Sequence, residues 1–184
     1  MKRVRMVGST TAAMSAATLA IAFGMAGAAG NAGDLATGSA LNQFATPAGP
    51  GVARLNVAAH SGASGLNPRG EVRAKGTTGL PMGEFAVQGP VTCLRVDGNR
   101  AAIKYRFKDA TGSAAPFKGG GVEVLVEDNG QPRGGHPVDA NASHPPETAT
   151  TFDATASQCD DPNSAPYDTV SSGNYTVVDR GAGP

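Results

Sequence analysis

The stretch Glu84–Phe107, EFAVQGPVTCLRVDGNRAAIKYRF, decides the fold of this chain. Apolar and polar residues alternate in its second half, and this period of two is typical of a strand with one buried face. The apolar positions are Ala101, Ile103, Tyr105 and Phe107. Asp97-Gly98-Asn99 lies just before them and supplies residues that accept the positive φ of a tight turn. The stretch therefore predicts the central hairpin of an all-β domain.

A proline and a change of pattern mark the first arm of this hairpin. Gly89-Pro90 should place a bulge or a break there, because proline cannot donate a hydrogen bond to a neighbouring strand. The apolar pattern also shifts, from Val91 and Cys93 to Leu94. Either a bulge or a strand covered on both faces would explain the shift.

Other segments with strand character lie on both sides of the hairpin. In the segment 122–128 three valines share one face, and the turn signal Asn129-Gly130 follows. The valines are Val122, Val124 and Val126. The remaining candidate strands are 39–45, 52–59, 70–75, 150–154 and 175–179.

The composition also favours strands. The chain has 26 glycines, 13 prolines and no tryptophan in 184 residues, and 16% of its residues are charged. Many turns joining short segments suit an all-β protein better than a helical one. We therefore predict an antiparallel β-sandwich or small barrel of about seven to eight strands. It forms a single domain, 39–179, between a flexible leader, 29–38, and a tail, 180–184.

The first 28 residues have the pattern of a cleaved signal peptide. Lys2, Arg3 and Arg5 form a positive region, an apolar run follows, and Ala26-Gly27-Ala28 is a cleavage signal. The alternative is an uncleaved membrane anchor, which the many Ala, Ser, Thr and Gly residues of the run disfavour. We expect a secreted, extracellular protein with no membrane span in its mature form.

The charge of the predicted mature chain bears on its partners. Removal of 28 of the 184 residues takes away three of the 15 basic residues and none of the 15 acidic ones. The remaining 12 basic and 15 acidic residues give a net charge of −3. Nucleic acids and anionic membranes bind basic patches, so the charge argues against both as partners. We expect an extracellular or cell-envelope ligand.

The two cysteines are predicted to form a disulfide. Cys93 lies in the central hairpin and Cys159 in an acidic, proline-containing loop, 157–166. Two cysteines of an exported protein usually pair, because the compartment is oxidising. The alternative is two free thiols. The chain has no C-x-x-C motif, which argues against a redox enzyme.

Histidine and serine motifs of known enzymes are missing from the sequence. The three histidines are His60, His136 and His144, and none belongs to an H-x-H or H-E-x-x-H motif. His60-Ser61 cannot act as a catalytic pair on a strand, because adjacent side chains point to opposite faces. There is no G-x-S-x-G motif. The sequence therefore predicts no catalytic residue and no cofactor.

Acidic residues form two further groups that could belong to a functional site. Glu123 and Glu127 lie on one face of the segment 122–128, where we expect them to pair with basic side chains of the central hairpin. The expected partners are Lys104, Arg106 and Lys108. A loop with Asp160, Asp161, Asn163 and Asp168 has ligands that calcium accepts, but its spacing does not match an EF-hand loop. We predict a solvated loop and no metal site.

Three motifs together resemble a known group of proteins. They are GPVTCLRVDGNRAAI at 89–103, VEVLVEDNGQP at 122–132 and SGNYTVVD at 172–179, with a late cysteine between the last two. The chain resembles small exported proteins of Gram-positive, high-GC bacteria, most of them uncharacterised, over about 53–179. The resemblance implies a β domain and an exported protein. It implies no catalytic residue.

These observations favour a non-catalytic binding or cell-envelope-associated β module. The alternative is a secreted enzyme, a hydrolase, with a site built from loops. An enzyme should bring several polar loop residues together in one concave, partly buried site, whereas a binding module should scatter them. The residues concerned are His60, Asp128, His136, His144 and Asp160.

Overall fold

Antiparallel strands make up most of the fold in the computed structural model, which describes residues 33–46, 49–78, 83–131 and 138–181. The strands are β1 (Leu35–Thr46), β2 (Gly49–His60), β3 (Arg69–Thr78), β4 (Gly83–Asp97), β5 (Arg100–Arg106), β6 (Asp109–Gly112), β7 (Gly121–Glu127), β8 (Ala140–Ser143), β9 (Asp168–Thr169) and β10 (Ser172–Val178). One α-helix, α1 (Ala149–Thr155), and two 3-10 turns, Ala63–Gly65 and Ala115–Phe117, complete the regular structure of this part of the chain. The predicted all-β class is confirmed.

The ten strands form one sheet that curls into a half-barrel, and not two stacked sheets. Their order is β10-β1-β2-β3-β4-β5-β7-β8-β9, with β6 beside β4. β6, β8 and β9 have only four, four and two residues, too few to show a period in the sequence, and they account for the difference from the predicted strand number.

Side-chain hydrogen bonds join the two ends of the curled sheet. The buried carboxylate of Asp139 accepts one hydrogen bond from the backbone N–H of Tyr175 at 2.6 Å and another from that of Asn129 at 2.8 Å. Asp128 accepts a hydrogen bond from the N–H of Val177 at 3.0 Å. Buried backbone groups need such partners. The two aspartates therefore replace strand pairing along this edge of β10.

The predicted central hairpin is confirmed as β4 and β5. Asp97 pairs with Arg100 across a two-residue turn, and Gly98 has a φ of +60°, which glycine adopts without strain. β4 continues through Pro90, so the strand has no break there. The irregularity lies between Val91 and Cys93, where the register shifts. This bulge explains the shift of the apolar pattern.

The core lies on the concave face of the half-barrel. All seven core residues that the alternation predicts are less than 9% exposed, namely Ala101, Ile103, Tyr105, Phe107, Val122, Val124 and Val126. They pack with Leu55, Val57 and Val72 of β2 and β3. The period-two pattern therefore assigned the buried faces of these strands correctly.

The segment 149–167 covers the convex face of β5 and β7. Its first part is α1, so the predicted edge strand at 150–154 is wrong. Phe152 is fully buried and packs on Gly121, where a β-carbon would lie 2.2 Å from its ring. Lys104 lies on this covered face and is 4% exposed, although the alternation of the sequence predicted only one buried face for this strand. Both faces of β5 and β7 are therefore buried.

The ends of the domain differ slightly from the prediction. β1 begins at Leu35, so residues 35–38 of the predicted leader belong to a strand. The predicted signal peptide, 1–28, and the residues 182–184 of the tail lie outside the described residues. In the part of the chain that the structure describes, no helix has the length and apolar character needed to cross a membrane.

Candidate functional site

A pocket of about 500 Å³ opens on the concave face of the half-barrel. Its wall is mainly apolar and includes the aromatic side chains of Phe44, Phe85, Tyr105, Phe107 and Phe117. Pockets that hold small molecules usually have volumes between about 300 and 1,000 Å³ and apolar walls. The size and lining of this pocket therefore suit a small ligand.

Alanines at inward-facing positions explain why the pocket is open. Ala53, Ala74 and Ala114 line it, each in a different part of the fold. Protein interiors are normally packed without large voids, and a bigger side chain at any of these positions would fill part of the space. The alanine-rich composition of the chain thus leaves room inside the curled sheet.

Two asparagine side chains give the apolar pocket its polar character. Asn141 is 2% exposed, and its Nδ2 donates a hydrogen bond of 2.9 Å to the hydroxyl of Tyr175. Oδ1 of Asn141 and Oδ1 of Asn42 are buried and have no hydrogen-bond partner among the described residues. A buried polar atom without a partner costs about 1–3 kcal/mol. A hydrogen-bond donor on a ligand would recover that energy.

The pocket wall carries almost no ionisable groups. Of the described residues that line it, none is an Asp, Glu, Lys or Arg, and the ionisable side chains are those of Tyr105 and His144. Burial raises the pKa of Tyr175, behind Asn141, to about 12, so its phenol is neutral at physiological pH. An uncharged ligand fits this lining best, because a charged group would lose its hydration without gaining a counter-charge.

A second cluster of polar residues lies on the covered convex face, across β7 from the pocket. His144 Nδ1 is 3.4 Å from Asp160 Oδ2 and 3.6 Å from Glu123 Oε2. The backbone N–H of Asp160 donates a hydrogen bond of 2.9 Å to Glu123 Oε1. Burial raises the pKa of the Glu123 carboxyl above its ordinary value, and the N–H of Asp160 and the charges of His144 and Lys104 oppose that shift.

Basic side chains beside this cluster have acidic partners other than the expected ones. Lys104 Nζ lies 2.6 Å from Thr155 Oγ1 and 3.5 Å from Glu147 Oε1, although Lys104 is opposite Glu123 in the strand register. Arg106 pairs with Asp153 of α1. Glu127 pairs with Arg100 at 2.8 Å. The pairing that we expected for Glu123 and Glu127 is therefore wrong, because Glu127 pairs with Arg100, which lies opposite it in the strand register, and Lys104 and Arg106 have acidic partners outside β7.

The disulfide between Cys93 and Cys159 is confirmed, with its Cα atoms 5.7 Å apart. Cys93 lies opposite Lys104 on the convex face of the sheet. The disulfide therefore holds the covering segment on that face, and it places Asp160, the next residue, beside Glu123.

The structure separates most of the other residues that the sequence singled out. His60 is exposed at the end of β2, while Ser61 is buried and donates to the carbonyl of Gly62. The carboxylate of Asp128 accepts a hydrogen bond from the backbone N–H of Val177 in β10. His136 lies outside the described residues. Of the five residues whose convergence would indicate an enzyme, only His144 and Asp160 are shown together.

Side chains of the acidic loop, 157–166, pair with other parts of the protein. Asp161 pairs with Arg95 at 3.2 Å, and hydrogen bonds from Asn163 hold the pKa of the Asp161 carboxyl below its usual range. Asn163 itself bonds to Asp97 and Arg100. Among the described residues, the group whose ligand atoms lie close enough to share a metal ion is Glu123, His144 and Asp160.

Sequence reasoning missed both the pocket and the cluster on the convex face. One signal for the cluster was present, since Leu125 lies on the same face as Glu123 and Glu127. An apolar residue in that row indicates that something covers the middle of the strand. Comparisons with protein-family models, with curated proteins and with solved structures find no match for this chain.

Proposed function

We propose that this protein is an exported, non-catalytic binding module that takes an uncharged, mainly apolar small molecule into the pocket of its half-barrel. One observation carries the proposal: the pocket of about 500 Å³ combines an apolar wall with a buried amide, that of Asn141, whose Oδ1 has no partner among the described residues. Apolar walls supply affinity, and a few placed polar groups supply orientation. The ligand is expected to carry one hydrogen-bond donor.

Saturable binding of a neutral apolar dye should reveal the pocket. We expect N-phenyl-1-naphthylamine to bind one site per chain with enhanced fluorescence. Ala74→Phe places a large ring at a position that lines the pocket, and it should weaken binding by about ten-fold or more, equivalent to about 1.4 kcal/mol. Lys75→Phe is the matched control, because Lys75 is the next residue of β3 and is exposed.

The outcome separates pocket binding from adhesion to the surface. Equal affinity in Ala74→Phe and in the unchanged chain, or no saturable binding at all, would refute the proposal. Ala53→Phe adds a ring to the pocket from β2 and provides an independent test if Ala74→Phe does not fold. Circular dichroism of each variant shows whether the sheet is intact.

Export rests on two separate features. Residues 1–28 have the charge, apolar run and cleavage signal of a signal peptide. The Cys93–Cys159 disulfide supports export as well, because disulfides persist mainly in oxidising compartments. We expect the intact mass of the protein from culture medium to correspond to a chain beginning at Ala29. A mass that includes Met1 would contradict secretion by this route.

A secreted hydrolase is the second candidate, and one contact favours it. His144 Nδ1 lies 3.4 Å from Asp160 Oδ2, which is the type of contact that orients a catalytic base. The binding module is preferred because the described residues that line the pocket include no acid, and the two carboxylates near His144, those of Glu123 and Asp160, lie on the other face of β7.

A further inference from the structure

Glu123, His144 and Asp160 come from three segments that are held in place independently. Glu123 lies in the middle of β7 between two paired strands. The backbone N–H of His144 donates to the carbonyl of Glu123 at 3.0 Å, which anchors the chain at the end of β8. Asp160 follows Cys159, whose disulfide to β4 holds it on the sheet. The three side chains therefore meet on a rigid frame.

The distances between their polar atoms suit ligands that share a cation. One ligand atom from each residue lies within 4.8 Å of the other two, and the two distances from His144 Nδ1 are 3.4 and 3.6 Å. Hydrogen bonds between nitrogen and oxygen are shorter, about 2.7–3.2 Å. Ligand atoms around a tetrahedral zinc ion, with bonds of about 2.0–2.2 Å, lie about 3.3–3.6 Å apart. The two distances from His144 Nδ1 thus fit tetrahedral coordination better than direct hydrogen bonds.

The surroundings of Glu123 orient its carboxylate towards His144. The side chain is 2% exposed, and Oε1 accepts the N–H of Asp160 at 2.9 Å. Oε2 remains on the side of His144, at 3.6 Å, beyond hydrogen-bond range. Hydrogen bonds to one oxygen of a carboxylate are a common way in which proteins fix a metal ligand.

Lys104, the buried cation opposite Glu123 in the strand register, makes its closest contacts with other side chains. Lys104 directs its Nζ to Thr155 and Glu147, at 2.6 and 3.5 Å. The side chain within 3.6 Å of both Glu123 and Asp160 is the imidazole of His144. A buried carboxylate without a compensating charge is costly, and a divalent cation would supply that charge.

We propose that Glu123, His144 and Asp160 bind one divalent transition-metal ion, for which Zn²⁺ is the best match. Zinc accepts a combination of imidazole and carboxylate ligands, whereas Ca²⁺ takes oxygen ligands only. The ion would link β7, the end of β8 and the covering segment. It would act together with the disulfide, at the residue next to Cys159.

Zinc binding to the chain, purified without a histidine tag and kept non-reduced, tests the site. Titration calorimetry with Zn²⁺ should give one site per chain, and the melting temperature should rise with zinc but not with the same concentration of Ca²⁺. Glu123→Gln and Asp160→Asn should each weaken zinc binding by about ten-fold or more. Removal of a group that is only hydrogen-bonded to a metal ligand already weakens metal binding by about that factor.

Two controls separate this site from adventitious binding. Asp161→Asn removes the neighbouring carboxylate, and His60→Ala removes an exposed histidine, so both should bind zinc like the unchanged chain. No stoichiometric binding, unchanged affinity in Asp160→Asn, or a loss in His60→Ala would each overturn the proposal. Stronger binding of Ca²⁺ than of Zn²⁺ would also overturn it. Asp160 is 60% exposed, so Asp160→Asn serves as the test if Glu123→Gln fails to fold.

Discussion

Loss of the Cys93–Cys159 disulfide should lower the free energy of unfolding by about 4 kcal/mol, according to the chain-entropy model. The disulfide joins residues 66 positions apart, and a long loop gives the unfolded chain much freedom that the covalent bond removes. In the folded state the bond also holds the acidic loop on β4 and β5. We therefore expect the largest single effect on stability at this bond.

Urea denaturation of the oxidised protein and of a Cys93→Ala/Cys159→Ala variant measures the effect. Reductant should destabilise the unchanged chain and leave the double variant unaffected, which controls for other actions of the reagent. Amide hydrogen exchange should become faster in 156–167, because this segment has mainly polar contacts besides the disulfide. Two free thiols in the native protein, or a loss below about 1 kcal/mol, would contradict the prediction.

Replacement of Ile103 by alanine should cost about 2–4 kcal/mol, the range for removing a large aliphatic side chain from a core. Ile103 is fully buried in the middle of β5, where it pairs with Leu94 on one side and Val124 on the other. Both neighbouring strands are held in register, so the surrounding structure can close only part of the cavity.

Leu66→Ala is the matched control for Ile103→Ala. Leu66 is 65% exposed, so loss of a similar number of carbon atoms there should change stability by less than about 0.5 kcal/mol. Denaturant melts of the two variants give the comparison. If Ile103→Ala also costs less than about 0.5 kcal/mol, the face of β5 that carries Ile103 is not in the core.

The central hairpin and the core could be predicted because their signals are local. Alternation along β5 and β7 assigns each side chain to a face of the sheet, and Asp97-Gly98-Asn99 indicates where the chain turns. The disulfide could be predicted for a different reason, since two cysteines allow only one pairing within the chain.

Helix α1 could not be predicted, because its own sequence hardly favours a helix. Ala149–Thr155 contains three threonines and one large apolar residue, Phe152, and a helix of this length is unstable alone. The helix forms where Phe152 packs on Gly121, and the side chains of Lys104 and Arg106 lie over its ring at 5.7 and 5.0 Å. These contacts join residues far apart in the chain, so no local pattern reports them.

The sequence by itself determined the strand class, the buried face of the central strands and the cysteine pair, since each depends on neighbouring residues or on simple counting. Only the tertiary structure decided how the sheet curls and which face of β7 is covered. Curling leaves the alanine-lined pocket open, and the covering segment brings Asp160 and His144 to Glu123. Both candidate sites arise from long-range packing, which depends on the volumes and positions of side chains throughout the domain.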